Sequence, residues 1–337
     1  MSNLDNVWYC DSSLMCEHAL KIYHYYNELS VIVTGESFKE FLISYGYPEN
    51  QIYLKDSILD SFRGYNFFSC YNTRLVNHFT NRYKIDYGMG HSSFYFNDKI
   101  SFSKNEKGML AQNEFQQLQY LQKCRNANLD LIAPVLGIAK IDDYKFTDFK
   151  KTKPIILYLH TYNKENKLEK WVGETKLRYA GFTDHVATAK VLEKFIPEFE
   201  ILHKAHHCNS GEHFNKFTNF VNGEIDTVDI FEKADLIVAE YGGSAIEAMC
   251  SDAKIIYVDD DHLETLDKSN LDVKIHEDFY HCQVKDLEQT IKYVLENPFP
   301  DEMISKRLEY RKSLFPYLHN GAQKIAEFMK LHEQNIW

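Results

Sequence analysis

The chain contains no apolar run near the ~18 residues that a helix needs to cross a bilayer, so no membrane-spanning helix is expected. It also lacks any CxxC pair. Its cysteines (Cys10, Cys16, Cys70, Cys124, Cys208, Cys250 and Cys282) are odd in number and irregularly spaced. That reads as reduced thiols in a cytoplasmic protein. Positive charge is scarce: 38 Lys and Arg stand against 49 Asp and Glu, for a formal net charge of -11. This argues against a dedicated nucleic-acid binder, which would carry a basic footprint, and leaves room for a local basic pocket. The opening residues, MSNLDNVWYCDSS, have neither the basic start nor the long apolar stretch of a secretory leader. Repeats and low-complexity tracts are missing as well.

What is present suits a folded core. The 337 residues favour two domains over one, and 44% of them are hydrophobic. Along the chain, residues 6–10 (NVWYC) read as a strand, and Ser13 as the cap of a helix over LMCEHALKIYHYYNEL. LSVIVTG (29–35) reads as a strand, ESFKEFLISYG (36–46) as a helix closed by Gly46, and QIYLKD (51–56) as a strand. Residues 60–82 are mixed. YKIDYGMG (83–90) reads as strand and turn, NEFQQLQYLQKCRNA (113–127) as helix, and LIAPVLGIA (131–139) as strand and turn. The polar stretch KIDDYKFTDFKKTK (140–153) reads as a linker. Beyond it, strands are expected at 154–160, 199–207, 235–241 and 253–261, and helices at 187–196, 228–234, 244–252 and 284–298. Two more helices, ISKRLEYRKSLF and GAQKIAEFMKLHEQ, close the chain. Strands alternating with helices predict parallel sheets with crossover helices. The expected fold is α/β of GT-B type: two Rossmann-like domains, at 1–145 and 150–310, whose parallel sheets face a central cleft, with a C-terminal helix at 311–337.

The stretch LIVAEYGGSAIEAMC (236–250) runs from an apolar strand through Glu240, Tyr241, Gly242, Gly243 and Ser244 into a helix carrying Glu247. Glycines at a helix start let a phosphate approach the backbone N–H groups, and a serine adds a hydroxyl donor. Glu247, one turn on, is positioned to reach a ribose diol. The structural alternative is a tight strand-to-helix turn with Ser244 as N-cap. Asp259-Asp260-Asp261 read as a solvated strand end, or as an acid contact to ribose or glycerol hydroxyls.

The segment ADLIVAEYGGSAIEAMCSDAKIIYV is similar to the C-terminal signature of the CDP-glycerol glycerophosphotransferase family, the teichoic-acid primases and polymerases. PIILYLHTYN, FEILHKAHH, VDIFEKADLIV, VKDLEQTIKYVLENP and YLHNGAQKIAEFM follow that family's order, so the resemblance covers about residues 150–330. Departures are specific: Gly242-Gly243 replace a serine pair, Glu240 replaces Asp, His206-His207 replace His-Pro, and His160 and Asn163 stand where Pro and Arg are usual. The chain is thus identified as a remote relative. Some capsule and lipooligosaccharide transferases that use CMP-activated sugars carry similar His and Ser motifs.

The resemblance assigns roles to histidines. His91, after Gly88-Met89-Gly90, stands where the family has a general base that deprotonates the acceptor hydroxyl. An imidazole titrating near pH 6.5 suits that task. His206 would contact the donor's diphosphate or the departing phosphate, with His207 as the fallback. His203, His206, His207, Cys208 and His213 also raise a zinc reading, but neighbours on a strand face opposite ways, so His206 and His207 cannot share one site.

The implied function is transfer of a glycerol-phosphate or related polyol-phosphate from a CDP-activated donor to a hydroxyl of a cell-envelope glycan or lipid-linked acceptor, with release of CMP. The first domain would take the acceptor and the second the nucleotide donor. No cofactor or metal is called for, and no nucleic-acid partner. Location would be the cytoplasm, with peripheral association at the inner membrane face left open. The alternatives are a glycosyltransferase using a CMP- or UDP-sugar, and a non-catalytic nucleotide-sensing subunit of envelope polysaccharide synthesis.

Overall fold

The computed structural model describes residues 4–58, 62–70, 73–85, 102–160, 185–204, 214–220, 224–240, 242–258 and 271–333. The chain divides into two compact units. One combines residues 1–146 with 311–337, and the other spans 147–310.

The first unit holds a six-stranded parallel sheet. Its strands are β1 (Leu4–Cys10), β2 (Ser30–Val33), β3 (Ile52–Leu54), β4 (Gly64–Ser69), β5 (Phe79–Lys84) and β6 (Glu106–Met109). They lie in the order β3-β2-β1-β4-β5-β6. The helices are α1 (Ser13–Tyr25), α2 (Glu36–Ser44), α3 (Glu114–Asn126) and α10 (Gly321–Leu331), the last contributed by the C-terminal segment. Local chemistry accounts for their ends. Ser12, not Ser13, caps α1 by accepting from the Met15 amide, and Asn113 caps α3 by accepting from Gln116. Gly46, at φ +85°, closes α2 with its amide on Ile43 O, as its position in the sequence predicts.

Because helices cover both faces of a parallel sheet, its strands bury side chains on both sides. In β1, Trp8 and Cys10 join one core with Met15, Ile22, Phe68, Tyr83, Ile325 and Met329, while Val7 and Tyr9 pack on the other face with Ile32, Phe67 and Phe79. An asparagine ladder crosses the sheet. Asn6, Asn66 and Asn81 are register partners on β1, β4 and β5, and Asn66 donates to Asn6 and accepts from Asn81, both at 2.9 Å. Asn66 also donates to His332 O at 2.8 Å, and Asn6 to Met329 O at 3.4 Å, which holds the end of α10 on the sheet. The expected strand at 131–139 is only two isolated bridges, Gly108–Ile132 and Ala111–Val135. Pro134 lies between them and has no N–H for a continuous ladder. The strand role passes to Glu106–Met109, whose Glu106 pairs with Arg82 at 2.8 Å in the core.

The second unit repeats the plan. Its strands are β7 (Ile155–Leu159), β8 (Glu200–Lys204), β9 (Thr218–Phe220), β10 (Leu236–Ala239), β11 (Lys254–Val258) and β12 (Tyr280–Cys282). All pair in parallel, in the order β12-β11-β10-β7-β8-β9. Helices α4 (His185–Leu192), α5 (Thr227–Lys233), α6 (Gly243–Glu247), α7 (Leu271–Asp278), α8 (Leu287–Glu296) and α9 (Asp301–Leu314) surround them. Among the described residues, no helix is long and apolar enough to cross a membrane.

Candidate functional site

Each sheet starts from a central strand, grows outward to one side, then restarts on the other. In the second unit that reversal falls between β7 and β10, which are hydrogen-bonded neighbours. In open α/β sheets, ligands bind outside the carboxyl ends of the strands at such a reversal. His160 follows β7 there, and Glu240 follows β10. The Glu240 amide donates to Leu159 O at 2.9 Å, so the two strand ends are pinned together. Tyr158 donates its hydroxyl to Glu240 Oε1 at 2.6 Å, and both residues are buried. A hydrogen bond between two buried side chains contributes about 0.5–1.5 kcal/mol.

The turn out of β10 depends on glycine. Gly242 has φ +137°, a conformation that side chains with a Cβ rarely adopt. It is also the N-cap of α6, and its carbonyl accepts from the Ala245 amide at 3.0 Å. Ser244 therefore sits inside the first turn, not at the cap, and no side chain caps this helix. Its hydroxyl is not committed to N-capping. The helix has only five residues before it tightens into a 3-10 turn at Ala248–Cys250, so its macrodipole is weak. Any anion here would rest on individual amides and the serine. Glu247, which the sequence pattern aims at a ribose, is fully buried. Tyr257 on β11 braces the turn from beneath, donating to Ala245 O at 3.2 Å, with His276 stacked on its ring at 4.3 Å.

A chain of histidines occupies the β7–β8 side. Tyr158 and His203 are register partners, and His160 lies two residues beyond Tyr158, on the same face of β7. His160 Nδ1 lies 2.7 Å from His203 Nε2, and His203 Nδ1 lies 2.8 Å from Asn219 Oδ1. His185, the first residue of α4, stacks on His160 at 5.3 Å. Phe214 closes edge-on over His203 at 4.8 Å. Burial, with His203 and then His185 beside it, pushes the His160 imidazole down to about 3. It is neutral at physiological pH.

Of the residues singled out from sequence, the structure brings Glu240, Gly242, Gly243, Ser244 and Glu247 to one strand end. His91, His206, His207 and Tyr241 lie outside the described residues, as do Asp259, Asp260 and Asp261. Sequence reasoning did not assign Tyr158, His185 or Asn219, and it considered His203 only as a metal ligand. A signal was there: a histidine within the apolar run of FEILHK must satisfy its ring nitrogens inside the sheet.

The architecture has solved counterparts. The wall teichoic acid polymerase TagF superimposes with a TM-score of 0.59 at 11% identity, over 97% of this chain and 89% of that one. A UDP-N-acetylglucosamine 2-epimerase from Listeria monocytogenes, described as putative in its own structure, gives 0.58 at 10% identity, over 100% and 98%. MnaA from S. aureus, solved with UDP, gives 0.56 at 12%, over 100% and 98%. The chain has a GT-B-type fold. No protein-family model matches it, and no curated protein matches its sequence. GT-B architecture is therefore what these likenesses carry, and the chemistry has to be argued from the strand ends.

Proposed function

We propose that the protein is a transferase that moves glycerol-phosphate or a related polyol-phosphate from a CDP-activated donor to a hydroxyl of a cell-envelope glycan or lipid-linked acceptor. The observation that carries this is the glycine turn at the β7/β10 reversal, where Gly242 adopts φ +137° and leaves Ser244 off the cap. A backbone bent this way at a ligand-binding strand end suits a phosphate. The fold likeness to a teichoic acid polymerase, one structure of which was soaked with CDPG, supports the donor class.

In this scheme the second unit binds the donor and the first takes the acceptor. Gly243 and Ser244 hold phosphate oxygens through N–H and hydroxyl groups, while the Tyr158–Glu240 bond keeps the two strand ends in register. His91 takes the proton of the acceptor hydroxyl as its oxygen attacks the β-phosphorus. The bond from that phosphorus to the bridging oxygen breaks, and CMP departs, steadied by His206 or His207. Location is proposed as the cytoplasm, where activated donors are made.

A second reading has its own support, since the likeness to the UDP-bound MnaA covers the whole chain. There the donor is a UDP-sugar, or a CMP-sugar by the sequence motifs, and attack falls on the anomeric carbon. Incubation with a panel of CDP-polyols, CMP-sugars and UDP-sugars, followed by phosphorus-31 NMR of the product, separates the two. A new phosphodiester signal is expected. A product without one, carrying a glycoside instead, sinks the phosphotransfer scheme.

A further inference from the structure

We infer that the first unit carries a ligand site at its own strand reversal, where the Asp11 carboxylate accepts a hydrogen bond from a hydroxyl of an uncharged glycan. The inference rests on the reading above only for naming that glycan the acceptor of the transfer. In the order β3-β2-β1-β4-β5-β6 the reversal falls between β1 and β4. Ligands of open α/β sheets gather outside the carboxyl ends of such a pair. Asp11 and Ser12 are the first residues beyond β1. Ser12 serves the fold, since its hydroxyl accepts from the Met15 amide to cap α1. Asp11 is half-buried, and among the described residues no lysine or arginine forms an ion pair with it. Burial raises its carboxyl above the ordinary carboxylate range, while its own backbone amide and the charge of Lys55 oppose that rise. Carboxylates that hold this unit together are bonded to it directly, as Glu106 is to Arg82 and Asp142 to the first amides of α10.

The surroundings select the ligand chemistry. Thr34 follows β2, and its amide donates to Cys10 O at 3.2 Å, so the ends of β1 and β2 are tied together. Gly35 comes next, and a Cβ built on it meets nothing within 4 Å, so open space adjoins these strand ends. Among the first three residues after β1, β2 and β3, the charged ones are Asp11, Glu36, Lys55 and Asp56, three acids to one cation. Tyr9, two residues back on the face of β1 that Asp11 shares, feels this charge: burial first, then Asp11, Cys10 and Asp56, push its hydroxyl up to about 12. Such a set repels phosphate, whereas a carboxylate accepts from a sugar hydroxyl. Charge therefore separates two ligand classes, with phosphate at the glycine turn of the second unit and a neutral glycan at Asp11.

Amide NMR titrations of the full chain test this with two probes. Methyl β-glucoside should shift the amides of Ser12, Ser13, Thr34 and Gly35. Methyl β-glucuronide, which replaces the hydroxymethyl by a carboxylate, should bind at least about fivefold more weakly. Asp11→Asn keeps an acceptor oxygen and removes the charge, so it should hold the glucoside within about threefold and bring the glucuronide level with it. Asp11→Leu should weaken the glucoside about tenfold. The site is overturned by unchanged glucoside binding in Asp11→Leu, by shifts confined to other residues, by no shift at all, or by glucuronide binding as tightly as glucoside to the unmodified protein. An acid that served only the positive end of α1 would change the denaturation midpoint and neither titration, which also overturns it. CDP-glycerol, titrated separately, reports at Gly243 and Ser244. Its failure to bind removes the donor reading, and with it the name acceptor, while the two glycosides still decide the site at Asp11.

Discussion

Gly242 and Gly243 are adjacent, yet the backbone asks different things of them. Gly242 sits at φ +137°, so Gly242→Ala should cost about 1–3 kcal/mol in chemical denaturation and lower nucleotide affinity with it. Gly243 is the first residue of α6, where alanine is tolerated. Gly243→Ala should leave stability within about 1 kcal/mol and still weaken nucleotide binding, because a methyl group obstructs close approach to the amide. Unchanged affinity in calorimetry would reduce Gly243 to a spacer. Ser244→Ala should likewise weaken binding at unchanged stability, whereas Glu247→Ala, in a fully buried position, should destabilise the fold. His160 sets a pH dependence. Its folded value of about 3 lies below the ordinary imidazole value of 6.5 that the unfolded chain retains. Stability from keeping this ring neutral is complete above pH 6.5 and is lost as pH falls from there toward 3. At about 1.4 kcal/mol for each unit, the loss is at most about 5 kcal/mol. Denaturant titrations from pH 7 to 4.5 should show a steeper decline for the native protein than for His160→Gln, which has nothing to titrate.

At the scale of elements, helix α10 is the informative case. Its amphipathic pattern reads plainly as a helix, but nothing local says where it docks. Asp142 receives its first amides, Gly321 N at 2.9 Å and Ala322 N at 2.6 Å, and Lys21 donates to the Asp142 and Lys140 carbonyls. Gly321 passes so close to Ile138 that an added Cβ would meet its backbone nitrogen at 2.9 Å. The other end rests on the asparagine ladder. Asn66→Ala strands partners on Asn6, Asn81 and His332, so it should cost about 2–4 kcal/mol and speed hydrogen exchange along α10 more than along α8. Equal protection of α10 in both proteins would show that the ladder is not what holds it. Most of the longer strands and helices were legible in the sequence from their apolar runs and caps, but β4 and most of β5 fell in the stretch 60–82 that reads as mixed, and α7 carried no signal that was read. The three-residue strands β3, β9 and β12 carry too few side chains for a pattern, and only β3 fell within a run that reads as strand.

On the scale of the whole molecule, the polar stretch at 140–153 marks the passage from one unit to the other, and the division falls between Phe146 and Thr147. The C-terminal segment is no separate appendage: residues 311–337 belong to the first unit, where Ile325, Ala326, Phe328 and Met329 complete a core begun by Trp8 and Met15. Removing residues 315–337 should therefore destabilise the first unit and spare the second. Hydrogen exchange should rise in β1, β4 and α1 while β7, β10 and α8 stay protected, and uniform loss across both sheets would contradict the division.

By itself the sequence determined most of the alternation of strands and helices and the place of the glycine turn, because each is written within some ten residues, and that alternation in turn implied parallel sheets. Gly242 and Ser244 were legible as a strand-to-helix transition from their immediate neighbours. The tertiary structure decided what those neighbours could not. Strand order placed the turn at a reversal between β7 and β10, although 80 residues separate Ile156 from its partner Leu236. Parallel pairing set His203 beside Tyr158 and His160, and Asn219 beyond it, so side chains 59 positions apart in the chain join one hydrogen-bonded row. A hydrogen bond is read at under 3 Å, and only the packed chain brings donors and acceptors from distant segments that close.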